Sequence, residues 1–227
     1  MKNIAFYVAS LSLASAVACK TQAGELCGQS TLANEEIEIV GSIQRFCKDV
    51  KGVAIRDDVI CFVSKIDPSS EAYKTAFDAV KTGSQKYFYI NSGGGGEASA
   101  VALAIYLKRK GKTLIINEGC FSACANYVFT AAPRRILLGN AQVGWHGTSE
   151  TYPGDRQTAA YSIAIRAQII FLKLFTPDER TKIRRLIAEI PADYPYRGSE
   201  MEHHVWTYPD RRLCEEYGLK NIIRLPM

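Results

Sequence analysis

KYFYINSGGGGEASAVALAIYLKRKGKTLIIN, Lys86 to Asn117, decides the fold. It opens with the apolar run KYFYIN (Lys86 to Asn91), which reads as a buried strand and stops abruptly at Ser92-Gly93-Gly94-Gly95-Gly96. A helix follows at once: Ala98, Val101, Ala102 and Ile105 keep the helical period, and Gly111 caps it. TLIIN (Thr113 to Asn117) is then a second buried strand. Strand, helix, strand in so short a span is the pattern of a βαβ unit.

Working outward, the same logic extends in both directions. Upstream, Gly24 to Asp49 reads as a polar lead-in, and Gly52 to Ile66 as a β-hairpin turning at Asp57-Asp58. Asp67-Pro68-Ser69-Ser70 opens a helix to about Lys81, with Ala72, Ala76, Phe77 and Val80 on one face. Downstream, GCFSACANYVF (Gly119 to Phe129) leads into a short apolar helix to Ala132, followed by the strand-like pieces RILLG and AQVGWHG. A long helical pattern covers about Arg156 to Phe175, and a segment rich in Pro and Tyr comes next. The helix Asp210 to Tyr217 is stopped by Gly218 and followed by the strand NIIRL. With no internal repeat and no linker, the expectation is a single-domain α/β fold of stacked βαβ units.

The chain has 227 residues, 47% hydrophobic and 22% charged, enough to bury a full core. Its net charge of +5 is mild. The densest basic piece, Lys108 to Lys112, closes a helix, where cations suit the dipole, so nucleic acid is not the expected partner. The first residues are of another kind. Met1-Lys2-Asn3 precedes an uncharged, mostly apolar run from Ile4 to Ala18, short for a bilayer span but right for a secretory signal. Residues 1–23 are therefore read as a signal peptide and 24–227 as the working domain. Cleavage falls after Ala23 or after Ala18. The second site would leave Cys19 at the N-terminus for lipid attachment and a membrane tether, although Ala16 stands where such signals carry Leu. Export to the periplasm or a similar compartment gives the cysteines a meaning. Cys27, Cys47, Cys61, Cys120, Cys124 and Cys214 form an even set able to make up to three disulfides, in pairings left open.

Ser122 sits just past a strand, midway between Cys120 and Cys124. The ends of parallel strands are where sites collect in α/β sheets. Glycines without side chains let backbone N–H groups approach a ligand oxygen, and those N–H groups with the one after Ser122 would make an oxyanion hole. A serine hydroxyl needs a base, and His146, 24 residues on at the end of AQVGWH, is the natural candidate. The plain alternatives are a core serine beside a satisfied histidine and a flexible glycine turn. For Cys120 and Cys124, a local disulfide bracing the serine turn is the first reading and buried free thiols the second. His203-His204 reads as a solvated pair, because adjacent residues point apart, and Trp145 as packing. With only three histidines, no metal site is expected, and the chemistry calls for no cofactor.

The span from YINSGGGGEASAVALAIYLKRKG through INEGCFSACANYVFTAAPRRILLGNAQVGWHG resembles the core of the Clp protease proteolytic subunit. It is closer still to that family's exported bacterial relatives with a Cys-x-Ser-Ala-Cys motif. The similarity covers roughly Ile55 to Gly147, with a weaker echo in EEYGLKNII (Glu215 to Ile223). It implies a Clp-protease/crotonase-like stack of βαβ units and serine peptidase chemistry. Ser122 then matches the nucleophile, His146 the general base, and Gly95 and Ala123 the oxyanion N–H donors. The family's acidic third member has no clear counterpart. Its interval offers Glu202, just before HHVWT, as first choice and Asp193 as second, with a backbone carbonyl or water orienting the ring as the alternative. Gly93 stands where the family usually has Pro. The implied partner is a peptide or protein substrate. A homo-oligomer is admitted, and the exported location argues against an ATPase partner. Two other function classes fit the same residues: a non-catalytic binding protein on this scaffold, and a crotonase-like acyl-CoA enzyme, which export away from cytosolic CoA disfavours.

Overall fold

Strands buried on both faces read as unbroken apolar runs, whose alternate residues serve two different cores. The computed structural model, which describes residues 32–147, 159–189 and 205–226, is built on that principle. Helix α1 (Asn34–Cys47) leads to the hairpin β1 (Gly52–Arg56) and β2 (Val59–Val63), with Asp57 at the turn. Then come α2 (Glu71–Thr82), β3 (Tyr87–Ser92), α3 (Glu97–Arg109) and β4 (Thr113–Phe121). A π-helical segment (Cys124–Phe129) follows, then β5 (Arg134–Leu138) and β6 (Gln142–Gly144). Helices α4 (Ala159–Leu172), α5 (Pro177–Glu189) and α6 (Asp210–Glu215) precede the last strand, β7 (Ile222–Leu225).

Among the described residues these strands form one mixed seven-stranded sheet in the order β1-β2-β3-β4-β5-β7. Only the β1–β2 hairpin is antiparallel; β2, β3, β4, β5 and β7 pair in parallel. Strand β4 is long enough to serve two neighbours. Thr113 to Ile116 pair with β5, and Gly119 to Phe121 pair with β6. That division carries the end of β6 to the end of β4, which is the register that builds the candidate site.

Ile60, Phe62, Phe88, Ile90, Leu114, Ile116 and Leu137 face the larger core with α2, α3, α4, α5 and the π-helical segment. Val59, Cys61, Tyr87, Tyr89, Ile115 and Ile136 face the other way, against Val40, Ile43 and Cys47 of α1. The domain is thus a single compact α/β unit.

Three expectations are corrected. The polar lead-in from Gly24 to Asp49 contains α1, because Val40, Ile43 and Cys47 recur at helical spacing and lie buried on the sheet. After the first long helix a separate one, α5, was not anticipated; it buries Ile183, Leu186 and Ile187. The buried face of α3 is Ala100, Val101, Leu103, Ala104 and Leu107; of the expected set Val101 belongs to it, Ala98 and Ile105 pack partly against the core, and Ala102 lies outside it, since a helix apolar nearly all round carries no clear periodic signal. In α2 the buried side chains are Tyr73, Ala76 and Val80, with Ala72 and Phe77 packed partly against them, and Ser70 caps Tyr73 N–H at 3.1 Å.

Two disulfides are formed, Cys47–Cys61 and Cys120–Cys124, and Cys214 is disulfide-bonded as well. They fit an exported protein in an oxidising compartment. No helix among the described residues is long and apolar enough to cross a membrane. Residues 1–23, the expected signal peptide, and Cys19 with them lie outside the described residues.

Candidate active site

Ser122 follows β4 directly, at a point where the chain must turn from strand into helix. It does so with φ of +59°, in the left-handed region that a side chain other than glycine's rarely enters. Two backbone bonds hold it there: Ser122 N–H donates to Gly144 O at 2.9 Å, and Asn126 N–H donates to Ser122 O at 2.8 Å. The turn is closed further by the Cys120–Cys124 disulfide, whose Cα atoms are 5.3 Å apart and whose cysteines are fully buried. Of the two readings of this pair, the disulfide is the one realised.

His146 arrives on the continuation of β6. Trp145, just before it, forms an antiparallel bridge with Trp206, with N–H to O distances of 2.9 and 2.7 Å. Trp145 is buried and packs edge-on against Phe129, so its expected packing role holds. The His146 imidazole Nε2 is hydrogen-bonded to Ser122 Oγ. Its Nδ1 lies 2.6 Å from Gly147 O. A carbonyl oxygen can only accept, so Nδ1 carries the proton, and in the neutral ring Nε2 is then the bare acceptor facing the serine hydroxyl. This is the tautomer a general base requires. Both residues are half-buried.

The glycine run supports the same point in space. Gly94 has φ of +97°, and a Cβ built on it would lie 2.6 Å from Ser122 Cβ and 2.9 Å from Ser122 Oγ. The loop therefore backs directly onto the serine. Gly95, with φ of +144°, bridges Ile66: Ile66 N–H donates to Gly94 O at 2.8 Å, and Gly96 N–H to Ile66 O at 2.9 Å. In this parallel bridge the flanking residues Gly94 and Gly96 make the bonds to Ile66, and Gly95 N–H is not used in it. Ala123 N–H opens the helical segment, where donors have no partner from the helix itself. Neither N–H bonds to another described residue.

Ser122, His146, Gly95 and Ala123 are thus gathered at one sheet end. Glu202, Asp193, His203 and His204 lie outside the described residues. Asn126 was missed in the sequence, although a lone amide inside the apolar run ACANYVF is a visible signal. Its side-chain Nδ2 donates to His146 O at 3.0 Å. Among the described residues no three His, Cys, Asp or Glu side chains come together as metal ligands. In the basic stretch, Lys112 is buried and donates to the Gln85 and Gly83 carbonyls, while Lys108 lies over the Phe175 ring at 4.5 Å. Burial pushes both ammonium groups below their ordinary pKa. In sequence, the chain matches no family model and no curated protein.

Proposed function

We propose that the chain is an exported serine peptidase-like hydrolase with a Clp-protease/crotonase-like arrangement of its βαβ units. One observation carries the reading: a serine held in a left-handed strand-to-helix turn shares a hydrogen bond with a histidine whose other ring nitrogen is anchored as a donor. A core serine with an incidental histidine partner has no need of that backbone conformation, which costs about 1–2 kcal/mol for an L-residue.

In the proposed reaction, Ser122 Oγ attacks the carbonyl carbon of a peptide or ester while His146 Nε2 takes the hydroxyl proton. The N–H groups of Gly95 and Ala123 hold the oxyanion of the tetrahedral adduct. The adduct collapses as the imidazolium returns the proton to the leaving amine or alcohol, which leaves an acyl-serine. Water then attacks, its proton passes to Nε2, and the acid departs with Ser122 restored. The Gly147 carbonyl is the described partner orienting the ring. Glu202, or Asp193 after it, is the proposed carboxylate for the same imidazole. Residues 1–23 act as the export signal in this reading.

The test is covalent labelling with a fluorophosphonate. The expected result is one adduct per chain, at Ser122, and no label in Ser122→Ala, with a melting temperature close to the parent's. An unlabelled parent would favour the binding-protein or acyl-CoA readings instead.

A further inference from the structure

We infer that Asn126 is a positioning residue, a clamp that fixes the nucleophile and the base at their working separation; this rests on the hydrolase reading above. Asn126 is the residue that touches both halves of the site through its own atoms. Its backbone N–H holds the Ser122 carbonyl at 2.8 Å, and its side-chain Nδ2 holds the His146 carbonyl at 3.0 Å. Because His146 O is an acceptor, the amide must present its NH2 there. The His146 carbonyl belongs to the peptide unit leading to Gly147, and Gly147 O receives the Nδ1 proton. Holding that peptide plane fixes the strand that carries the ring and the point from which the Gly147 carbonyl departs.

The side chain's surroundings argue that this bond is not there for stability. Asn126 is 2% exposed, within a segment whose six residues are all buried. Its Oδ1 has no hydrogen-bond partner among the described residues, and an orphaned buried acceptor opposes folding. A leucine of similar shape would remove that acceptor along with the one bond. What leucine could not supply is the N–H that ties the strand after β6 to the turn after β4. These two elements belong to different crossovers, and β6 pairs with β4 over only three residues.

The experiment compares the full chain, disulfides intact, with Asn126→Leu and Asn126→Asp. Leu keeps the volume, and Asp keeps the shape without the N–H donor. Fluorophosphonate labelling at several probe concentrations separates the maximal rate from the half-saturation constant. The expected result is a maximal rate lower by about tenfold to a hundredfold in each folded variant, the scale of a misplacement near 1 Å. The half-saturation constant should stay within about twofold, the signature of lost transition-state geometry rather than lost binding. The His146 ring N–H resonance, assigned with His146→Gln, supplies a readout that does not need activity. It should be exchange-protected in the parent and lose protection in Asn126→Leu. A folded variant that labels at the parent's rate, or keeps the protected N–H, overturns the clamp. A fall in melting temperature matching the loss of rate would reduce Asn126 to a structural part. If the parent takes no label, the hydrolase reading fails, while the resonance still decides whether Asn126 fixes the ring.

Discussion

Ser122 pays for its left-handed backbone with local strain, and its immediate neighbours decide whether that strain persists. The N–H to Gly144 and the carbonyl bond from Asn126 lock the turn from both sides. Gly94 leaves no space for relaxation, since its α-carbon faces Ser122 where a methyl group would collide with Ser122 Cβ at 2.6 Å and Phe121 O at 2.7 Å. Gly94→Ala should therefore destabilise the fold by about 1–3 kcal/mol, the usual range for overpacking. It should also slow fluorophosphonate labelling by roughly tenfold or more, because Ser122 must shift relative to His146. Gly93→Ala is the control, as a methyl there meets nothing within 4 Å. Thermal melts and labelling rates on both variants check the prediction. Equal behaviour of the two would mean that the glycine loop does not support the serine.

At the level of elements, α5 shows why part of the fold was legible and part was not. Thr176-Pro177-Asp178-Glu179 is a capping box in plain view. Thr176 N–H donates to Glu179 Oε2 at 2.9 Å, and Glu179 N–H donates to Thr176 Oγ1 at 3.4 Å. Thr176→Ala should cost about 1 kcal/mol, a fall in Tm of about 2–4 °C for a chain of this size. The Thr176 backbone N–H, chiefly, also holds the Glu179 carboxyl below its ordinary pKa. A carboxyl depressed on folding stabilises above the unfolded value and loses that contribution as pH falls through the folded one. Glu179→Gln should thus be less stable than the parent at neutral pH, and the gap should close in acid; a gap independent of pH would refute the assignment. The strands β3 and β4 were readable because burial on both faces leaves YFYI and LII without polar interruption. The helix α1 was not, because its buried positions Val40, Gly41, Ile43 and Cys47 lie from its middle onward and are interleaved with polar residues that read as a solvent-facing loop. Ser122 and His146 could be found from their order along the chain. Asn126 could not be assigned, since its partner depends on the β4–β6 register, which no local pattern encodes.

Across the whole molecule, the two described disulfides divide the work by loop length and place. Cys47–Cys61 ties α1 to β2 on the face opposite the helices α2 to α5, with 14 residues of separation. There α1 is also held by the ion pair of Glu36 with Arg134 and by Gln44 Nε2 donating to Asn117 Oδ1 at 2.8 Å. Closing a loop of that length removes unfolded-state freedom worth about 3 kcal/mol, whereas the four-residue separation of Cys120 and Cys124 is worth about 1 kcal/mol less. Their effects on the candidate site should run in the opposite order. The double substitution Cys47→Ala, Cys61→Ala should lower stability by about 2–4 kcal/mol and leave the labelling rate of folded Ser122 within about twofold of the parent, since α1 packs on the far core. Cys120→Ala, Cys124→Ala should lower stability less and slow labelling by about tenfold or more, because that bridge spans the turn carrying the nucleophile. Denaturant melts paired with labelling rates read both axes at once. If the 120–124 variant labels like the parent, the turn does not depend on its own bridge; if the 47–61 variant loses labelling while folded, the far core is coupled to the site.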